Sequence, residues 1–372
     1  MYCVENCQGL YIEVADYVAP LFRTGVKAMR QKLVGVQALR AIAALAVVLH
    51  HVSAQIRMNL GVEVPLSFEG TGARGVELFF GISGFIILYA HFGQIGRASS
   101  ISSYLVKRIK RILPSTIIIS SGWALIILVA SGIGLSAPDV SFTTWLSSAF
   151  VLPMLDRPEP GVIWTLRNEF VFYFLFSFFL VSFRVGLCVF ILWVFLCLAL
   201  PTSAGLVELD SEILYHTVFS ELNLIFVFGV IAFFCFKKFR FRCASWMFIP
   251  SLFAFSVLSY QNMLGAQLPS YLFGLVAAIL IYSAAHVSWK GRLAGFVEAL
   301  GDSSFALYLV HVPVMAVLFP AFVALIDSPM LIYVLESLIL VIAGLLFYYI
   351  VEKPISSALS NRSVLTVRAQ PS

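Results

Sequence analysis

Charged residues are scarce in this chain of 372 residues. Asp, Glu, Lys and Arg make up 12% of it, whereas 60% of the residues are hydrophobic and the mean hydropathy is +0.96. A soluble domain carries about 25% charged residues. This shortage excludes a soluble globular enzyme, a disordered chain and a nucleic-acid-binding domain. What remains is a polytopic membrane protein in contact with membrane lipids.

The alternating pattern of a membrane β-barrel is also missing, and long continuous apolar runs take its place. A helix needs roughly 20 mainly apolar residues to cross a bilayer. The sequence therefore predicts an all-α polytopic integral membrane protein with about ten transmembrane helices. The predicted spans are 36–55, 75–93, 112–135, 162–183, 185–200, 214–236, 246–261, 267–286, 303–326 and 329–351. The shorter apolar stretch 142–155 is predicted to be interfacial or re-entrant.

Basic residues are nearly absent from one side of this arrangement. With alternating sides, 19 of the 24 Lys and Arg residues fall on the side of the N-terminus, 3 on the other side and 2 within spans. By the positive-inside rule, both termini are cytoplasmic. The predicted domains are an N-terminal extension 1–32, a membrane domain 33–355 and a cytoplasmic tail 356–372. Because Met29 opens a basic stretch, residues 1–28 are expected to be either a cytoplasmic extension or the product of a misplaced start codon.

Cysteine is equally sparse. The chain has six, and none lies in a predicted outside loop, so no disulfide framework is expected. Cys3 and Cys7 lack a second pair at zinc-site spacing. No metal site is predicted.

Against this background, ionisable residues inside the spans are candidate functional groups. Arg40 and His51 are eleven residues apart in the first span, which places them on one helical face, offset by about 20°. His50 is rotated by about 80° from Arg40 and is the better candidate for a structural histidine. Arg40 would be a cation near the cytoplasmic end of the span, and His51 a titratable base deeper in the membrane. This arrangement suits an acyl donor with phosphates at one end and the reactive acyl group at the other.

The second span carries Glu77 near its outer end, within expected reach of His51. Gly81, Ser83 and Gly84 form a small-residue strip, for which helix packing is at least as favoured as ligand contact.

The most basic loop contains Arg108 and Arg111 on one face. They serve either as the topology signal alone or as a cytoplasmic anchor for phosphates.

Three further ionisable groups enter the membrane later in the chain. Arg167 and Glu169 are two residues apart, so each needs a partner on another helix. His311 lies about 12 Å into the ninth span. A Glu–His pair in a low-dielectric site is a plausible general base, and purely structural interhelical pairing is the alternative.

Taken together, these residues resemble the membrane-bound acyltransferase 3 family over about residues 33–355. The resemblance rests on several short motifs in the family's order. They are Arg40-x10-His51, Gly75 to Phe85 (with Glu77 for the usual Asp), Arg108-x-x-Arg111-x-x-Pro114, Trp164 to Glu169 (with Thr165 for Ser), Tyr308-x-x-His311-x-Pro313 (one residue shorter) and Glu352-Lys353-Pro354. The sequences from Leu33 to His51 and from Gly301 to Ser304 are most similar to the exopolysaccharide, succinoglycan-type O-acetyltransferase branch of this family.

This resemblance implies transfer of an acetyl or other acyl group from acyl-CoA to a hydroxyl of an exopolysaccharide, a surface glycan or its lipid-linked precursor. It implies acetyl-CoA as donor substrate, no permanently bound cofactor, and a multi-pass protein of the bacterial inner membrane. Polysaccharide synthesis or export proteins are further candidate partners. The implied catalytic residues are His51, Glu169 and Glu77; the donor-binding residues are Arg40, Arg108, Arg111 and Ser83; the supporting residues are His311, Arg167, Trp164 and Tyr308.

Two other functions remain open from the sequence. Buried His, Glu and Arg also suit a multi-span transporter, although no inverted repeat is visible. The second is a non-catalytic subunit of a polysaccharide export system.

Overall fold

A computed structural model describes residues 32–65, 67–134, 140–153, 157–200, 217–239, 241, 243–265 and 268–359. Within these ranges the regular structure is helical and contains no strand. Nearly all of the predicted N-terminal extension, the question of the start codon, and most of the predicted tail lie outside the described residues.

Eleven main helices follow one another within these ranges. They are α1 (Val34–Leu60), α2 (Gly75–His91), α3 (Ile101–Gly132), α4 (Phe142–Ala149), α5 (Trp164–Val181), α6 (Phe183–Ala199), α7 (Leu224–Lys238), α8 (Phe248–Met263), α9 (Ser270–His286), α10 (Arg292–Leu325) and α11 (Pro329–Phe347). A π-helical turn, Tyr348–Glu352, continues α11 into a last helical stretch at 353–359.

Each predicted span corresponds to one of these helices, but not all are long enough to cross a bilayer by themselves. Six helical segments have the necessary length and apolar composition: Val34–Leu60, Gly72–Gln94, Ala98–Gly132, Gly161–Val181, Arg292–Leu325 and Pro329–Leu359. The four helices α6 to α9 have 15 to 17 residues, or about 23–26 Å. The chain is thus multi-pass, whereas the count of ten spans stays a prediction.

Several helices extend beyond the predicted apolar segments. Helix α3 begins at Ile101 instead of 112 and includes the basic turn around Arg108; α10 begins at Arg292 instead of 303. Apolar runs mark the part of a helix that suits hydrocarbon, and the polar turns that precede it can be helical as well. The stretch predicted to be interfacial contains α4, whose eight residues are too short to cross.

Helix α1 is the centre of the bundle. It packs against α2, α9, α10 and α11. Helix α2 runs antiparallel to it, because Gly75 lies against Ala43 and Gly72 against Ala46. Helix α10 runs parallel to α1, because Gly301 lies against Gln37 and His311 lies against His51. We call the end of the bundle where α1 begins the basic end, since Lys32 and the basic turn of α3 (Lys107–Arg111) lie there.

The small-residue strip of α2 divides between two faces. A Cβ atom at Gly229 of α7 would overlap the carbonyl oxygen of Gly81, and one at Gly84 would overlap that of Phe226. The two glycines therefore allow close crossing of α2 and α7, as small residues do in membrane bundles. Ser83 is on a different face and lines a cavity.

The count of ten spans predicts the location of the loop after α8. If α6 to α9 cross the membrane, this loop is on the opposite side from both termini; if they do not, it is cytoplasmic. In a variant without the six native cysteines, Leu264→Cys is therefore expected to react with a membrane-impermeant maleimide in intact spheroplasts. The matched control, Lys290→Cys, lies between α9 and α10 and should react only after permeabilisation. Labelling of both positions only after permeabilisation would contradict ten spans.

Candidate functional site

A cavity of about 290 Å³ lies between α1, α2, α3, α5 and α10. Its longest wall is α2, which lines it from Val76 to Ala90. These fourteen steps correspond to about 21 Å of helix axis. The cavity is thus a narrow channel that follows α2 away from the basic end.

Four cations line this channel: Lys32, Arg40, Arg108 and Arg111. Arg40 and Arg111 are close enough to repel each other, and the carboxylates of Asp302, Glu169 and Glu352 offset their charge. The predicted donor-binding residues Arg40, Arg108, Arg111 and Ser83 are therefore brought together by the fold.

A chain of hydrogen bonds fixes Arg40. Its guanidinium donates to Gln37 Oε1 at 3.4 Å, and the Gln37 amide donates to Asp302 Oδ1 at 3.2 Å. Lys32 Nζ donates to the other oxygen of Asp302 at 2.8 Å. This network joins α1 to α10 where Gly301 permits close packing, because a Cβ there would clash with Gln37. The roles of Gln37 and Asp302 were not predicted from the sequence.

Arg108 is held separately. It donates to His91 Nε2 at 2.8 Å, and His91 Nδ1 in turn lies 2.9 Å from Gln94 Oε1. The guanidinium also lies over the rings of Tyr104 and Tyr173, 5.6 and 5.5 Å from their centroids. These contacts orient Arg108 towards the cavity without neutralising its charge.

Midway along the channel, Glu169 is hydrogen-bonded from two helices. Ser83 Oγ donates to Glu169 Oε1 at 2.9 Å, and the Tyr173 hydroxyl donates to the same oxygen. All three residues line the cavity. Tyr173 was not predicted, although its position four residues after Glu169 places both on one helical face.

The far end of the channel is closed by apolar side chains, which we call the apolar cap. The cap consists of Val47, Val162 and Tyr308 with Val76, Phe79 and Val312 packed against them. The Tyr308 hydroxyl donates to the Val162 carbonyl at 2.9 Å and accepts from Thr165 Oγ1 at 3.0 Å. Its ring meets that of Phe79 edge-on, with centroids 6.0 Å apart.

The two predicted histidines lie together beyond this cap. The rings of His51 and His311 are 4.9 Å apart, and His311 is 5.7 Å from Tyr308. His51 Nδ1 lies 2.8 Å from the Val47 carbonyl; as a donor to it, this nitrogen leaves Nε2 to accept a proton. His311 is fully buried, and neither ring nitrogen has a well-formed hydrogen bond to the described residues. Neither histidine lines the cavity.

The ring of His50, the predicted structural histidine, also lies 4.9 Å from that of His51, but its hydrogen bond goes to the loop after α1. Its Nδ1 accepts the Gly70 backbone N–H at 3.0 Å, which fastens the α1–α2 loop.

The predicted Glu–His pair does not form. Glu77 pairs with Arg74 one turn earlier, and Arg74 also donates to Asn262 of α8. Among the described residues, no hydrogen bond joins His51 to Glu77 or to Glu169. The two carboxylates were expected to reach His51, but Glu77 is held by Arg74 and Glu169 lies on the cavity side of the cap.

Two further predicted supporting residues lie outside the cavity, as His311 does. Arg167 is buried and donates to Ser147 Oγ, which connects α5 to the short helix α4. Trp164 is 39% exposed and contacts Phe80 edge-on. Tyr308, by contrast, forms part of the cavity wall.

No curated protein and no solved structure matches the chain. Residues 33–353 match the family model Acyl_transf_3, described as an acyltransferase domain. This match covers almost the whole helical bundle, including every residue of the cavity except Lys32. The chain therefore belongs to the membrane-bound acyltransferase 3 family.

Proposed function

We propose that this protein is an O-acyltransferase of the bacterial inner membrane. It transfers a short acyl group from acyl-CoA to a hydroxyl of an exopolysaccharide, a surface glycan or its lipid-linked precursor. Membership of the family supports acyl transfer in a membrane. The donor is inferred from the chemistry of the cavity, and the acceptor from the resemblance of Leu33 to His51 and Gly301 to Ser304 to the exopolysaccharide branch.

The observation that carries the donor assignment is the clustering of Arg40, Arg108 and Arg111 at one end of a narrow channel. Acyl-CoA has three phosphates at one end and a thioester at the other, joined by a thin flexible arm. Arginine binds phosphate oxygens through charge-assisted, often bidentate hydrogen bonds. In the proposed complex the phosphates lie at the basic end and the arm follows α2 past Ser83.

The charge distribution fits this direction of entry. We place the basic end in the cytoplasm, where acyl-CoA is available, because 19 basic residues fall on that side in the ten-span arrangement. The acceptor then approaches the His51–His311 pair from the opposite end or from the lipid leaflet.

His51 is the proposed general base. The acceptor oxygen attacks the thioester carbonyl carbon while His51 Nε2 takes the hydroxyl proton. The C–S bond breaks, and the His51 imidazolium gives its proton to the CoA thiolate, so the reaction consumes no net proton. His311 packs against the His51 ring and limits its orientation. For this step the valines of the apolar cap that lie between the two histidines and the channel must part, while Phe79 and Tyr308 keep their places.

The roles of the two carboxylates differ in this scheme. Glu169 positions Ser83 and Tyr173 beside the donor arm, where their hydroxyls meet the same carboxylate oxygen. Glu77 instead stabilises the start of α2 through Arg74. This assignment replaces the expectation that either one orients His51.

The donor assignment predicts a specific loss of CoA affinity. Arg40→Gln removes a charged hydrogen-bond donor, which contributes about 1.5–3 kcal/mol and corresponds to a roughly 10- to 100-fold weaker Kd. Isothermal titration calorimetry of the purified protein with CoA measures this change. The matched control is Arg57→Gln, on the same helix but exposed and paired with Glu69, and it should bind CoA as the wild type does. Equal affinity in both variants would contradict the phosphate site.

The catalytic assignment predicts that His51→Ala abolishes acyl transfer while the protein still folds. Loss of a general base typically lowers the rate about 10²- to 10⁴-fold. The measurement is the acetyl content of surface polysaccharide in a deletion strain complemented with each variant. His50→Gln, which can still accept the Gly70 amide, is the control and should restore acetylation. A His51→Ala variant with full activity would remove this residue from the mechanism, and a wild-type protein without transfer would favour the transporter or non-catalytic alternatives.

A further inference from the structure

The two ends of the channel differ in chemical character. All four lining cations are associated with the basic end, where Arg40 bonds back to Gln37. Beyond Glu169, the wall consists of apolar side chains and two that carry a hydroxyl: Val76, Phe79, Phe80, Leu166, Tyr308 and Thr165. The Thr165 hydroxyl already donates to that of Tyr308, which donates to the Val162 carbonyl. A group at this end therefore meets no lining cation that would pair with a negative charge.

The end wall is also firmly packed. Tyr308 is 6% exposed, and two hydrogen bonds fix its hydroxyl. Phe79 lies against the Tyr308 ring and joins the same apolar cap. Behind them are Val47 and the His51–His311 pair. A longer chain would have to displace packed side chains, which is energetically costly.

We infer that Phe79 and Tyr308 form the end wall of an acyl subsite that admits only short, uncharged acyl groups. This inference rests on the proposed function and adds the class of donor to it. The apolar wall accepts a methyl or ethyl group. A succinyl group would place its free carboxylate among apolar side chains, where no lining cation pairs with it and Glu169 is the nearest lining carboxylate. Burial of an unpaired charge is strongly unfavourable.

Phe79 is the part of the wall that is open to substitution. Tyr308 is tied to Val162 and Thr165, whereas the Phe79 ring makes no hydrogen bond. Truncation of Phe79 leaves a space beside Tyr308, at the closed end of the channel. Each additional methylene that enters such a space gains about 0.8 kcal/mol, or roughly fourfold in affinity.

The test compares acetyl-, butyryl-, hexanoyl- and succinyl-CoA as donors for the purified full-length protein in nanodiscs. The acceptor is chemically de-O-acylated surface polysaccharide of the source strain, and CoA release gives kcat/KM for each donor. We expect the wild type to prefer acetyl-CoA and to use hexanoyl- and succinyl-CoA at least about tenfold less well. Phe79→Ala should raise the butyryl-to-acetyl ratio of kcat/KM at least about tenfold and leave succinyl-CoA a poor donor.

Phe174→Ala is the matched control. It removes the same ring from α5 at a position that is 59% exposed and outside the cavity, so the donor ratios should stay at the wild-type values. Should Phe79→Ala fail to fold, Phe79→Leu is expected to shift the same ratio in the same direction by a smaller factor.

The possible failures are distinguishable. Wild-type protein that releases CoA from none of the donors, with either the polysaccharide or its lipid-linked precursor as acceptor, overturns the proposed function itself. A wild type that transfers acetyl but uses succinyl-CoA equally well overturns the inference alone. The same holds if folded Phe79→Ala or Phe79→Leu keeps the wild-type donor ratios.

Discussion

The position of Arg40 determines the arrangement of the helices around it. A guanidinium within a membrane-spanning helix has to face the protein interior and find polar partners there. Arg40 finds them through Gln37 and Asp302, and this network requires α10 to approach α1 at Gly301. The same approach brings Tyr308 and His311 of α10 alongside the later turns of α1. The placement of one buried charge is thus coupled to the placement of both the cavity wall and the histidine pair.

The polar groups assigned to the reaction fall into two zones with an apolar layer between them. The channel contains the cations and the Ser83–Glu169–Tyr173 group; the other zone contains His51 and His311. The cap of valines, Phe79 and Tyr308 separates them. Such a layer suits an enzyme whose two substrates enter from opposite sides, because it keeps water and the acceptor away from a bound thioester until the cap opens.

Some of this organisation followed from the sequence. Hydropathy located every long helix, and helical periodicity placed Arg108 and Arg111 on one face, which the cavity confirms. The same periodicity put Arg40 and His51 on one face, but it carries no information about what packs between them. The residues that fill this interval come mainly from α2, α10 and the turn before α5, which only the tertiary fold brings together.

The prediction of a Glu–His pair was wrong for a related reason. Arg74 is closer to Glu77 than His51 is, both along the chain and in space. The hydrogen bond between Gln37 and Asp302 was not predicted, because nothing in the sequence shows that α1 and α10 bring these two residues together.

The central claim is that the basic channel along α2 binds the acyl-CoA donor with its reactive end against the apolar cap. The most direct measurement is an experimental structure, by electron cryo-microscopy, of the protein in nanodiscs with CoA. The account predicts phosphates within hydrogen-bond distance of Arg40, Arg108 and Arg111, the arm beside Ser83, and the sulfur near the rings of Phe79 and Tyr308. CoA bound outside this cavity, or bound in it with the thiol directed to the basic end, would contradict the account.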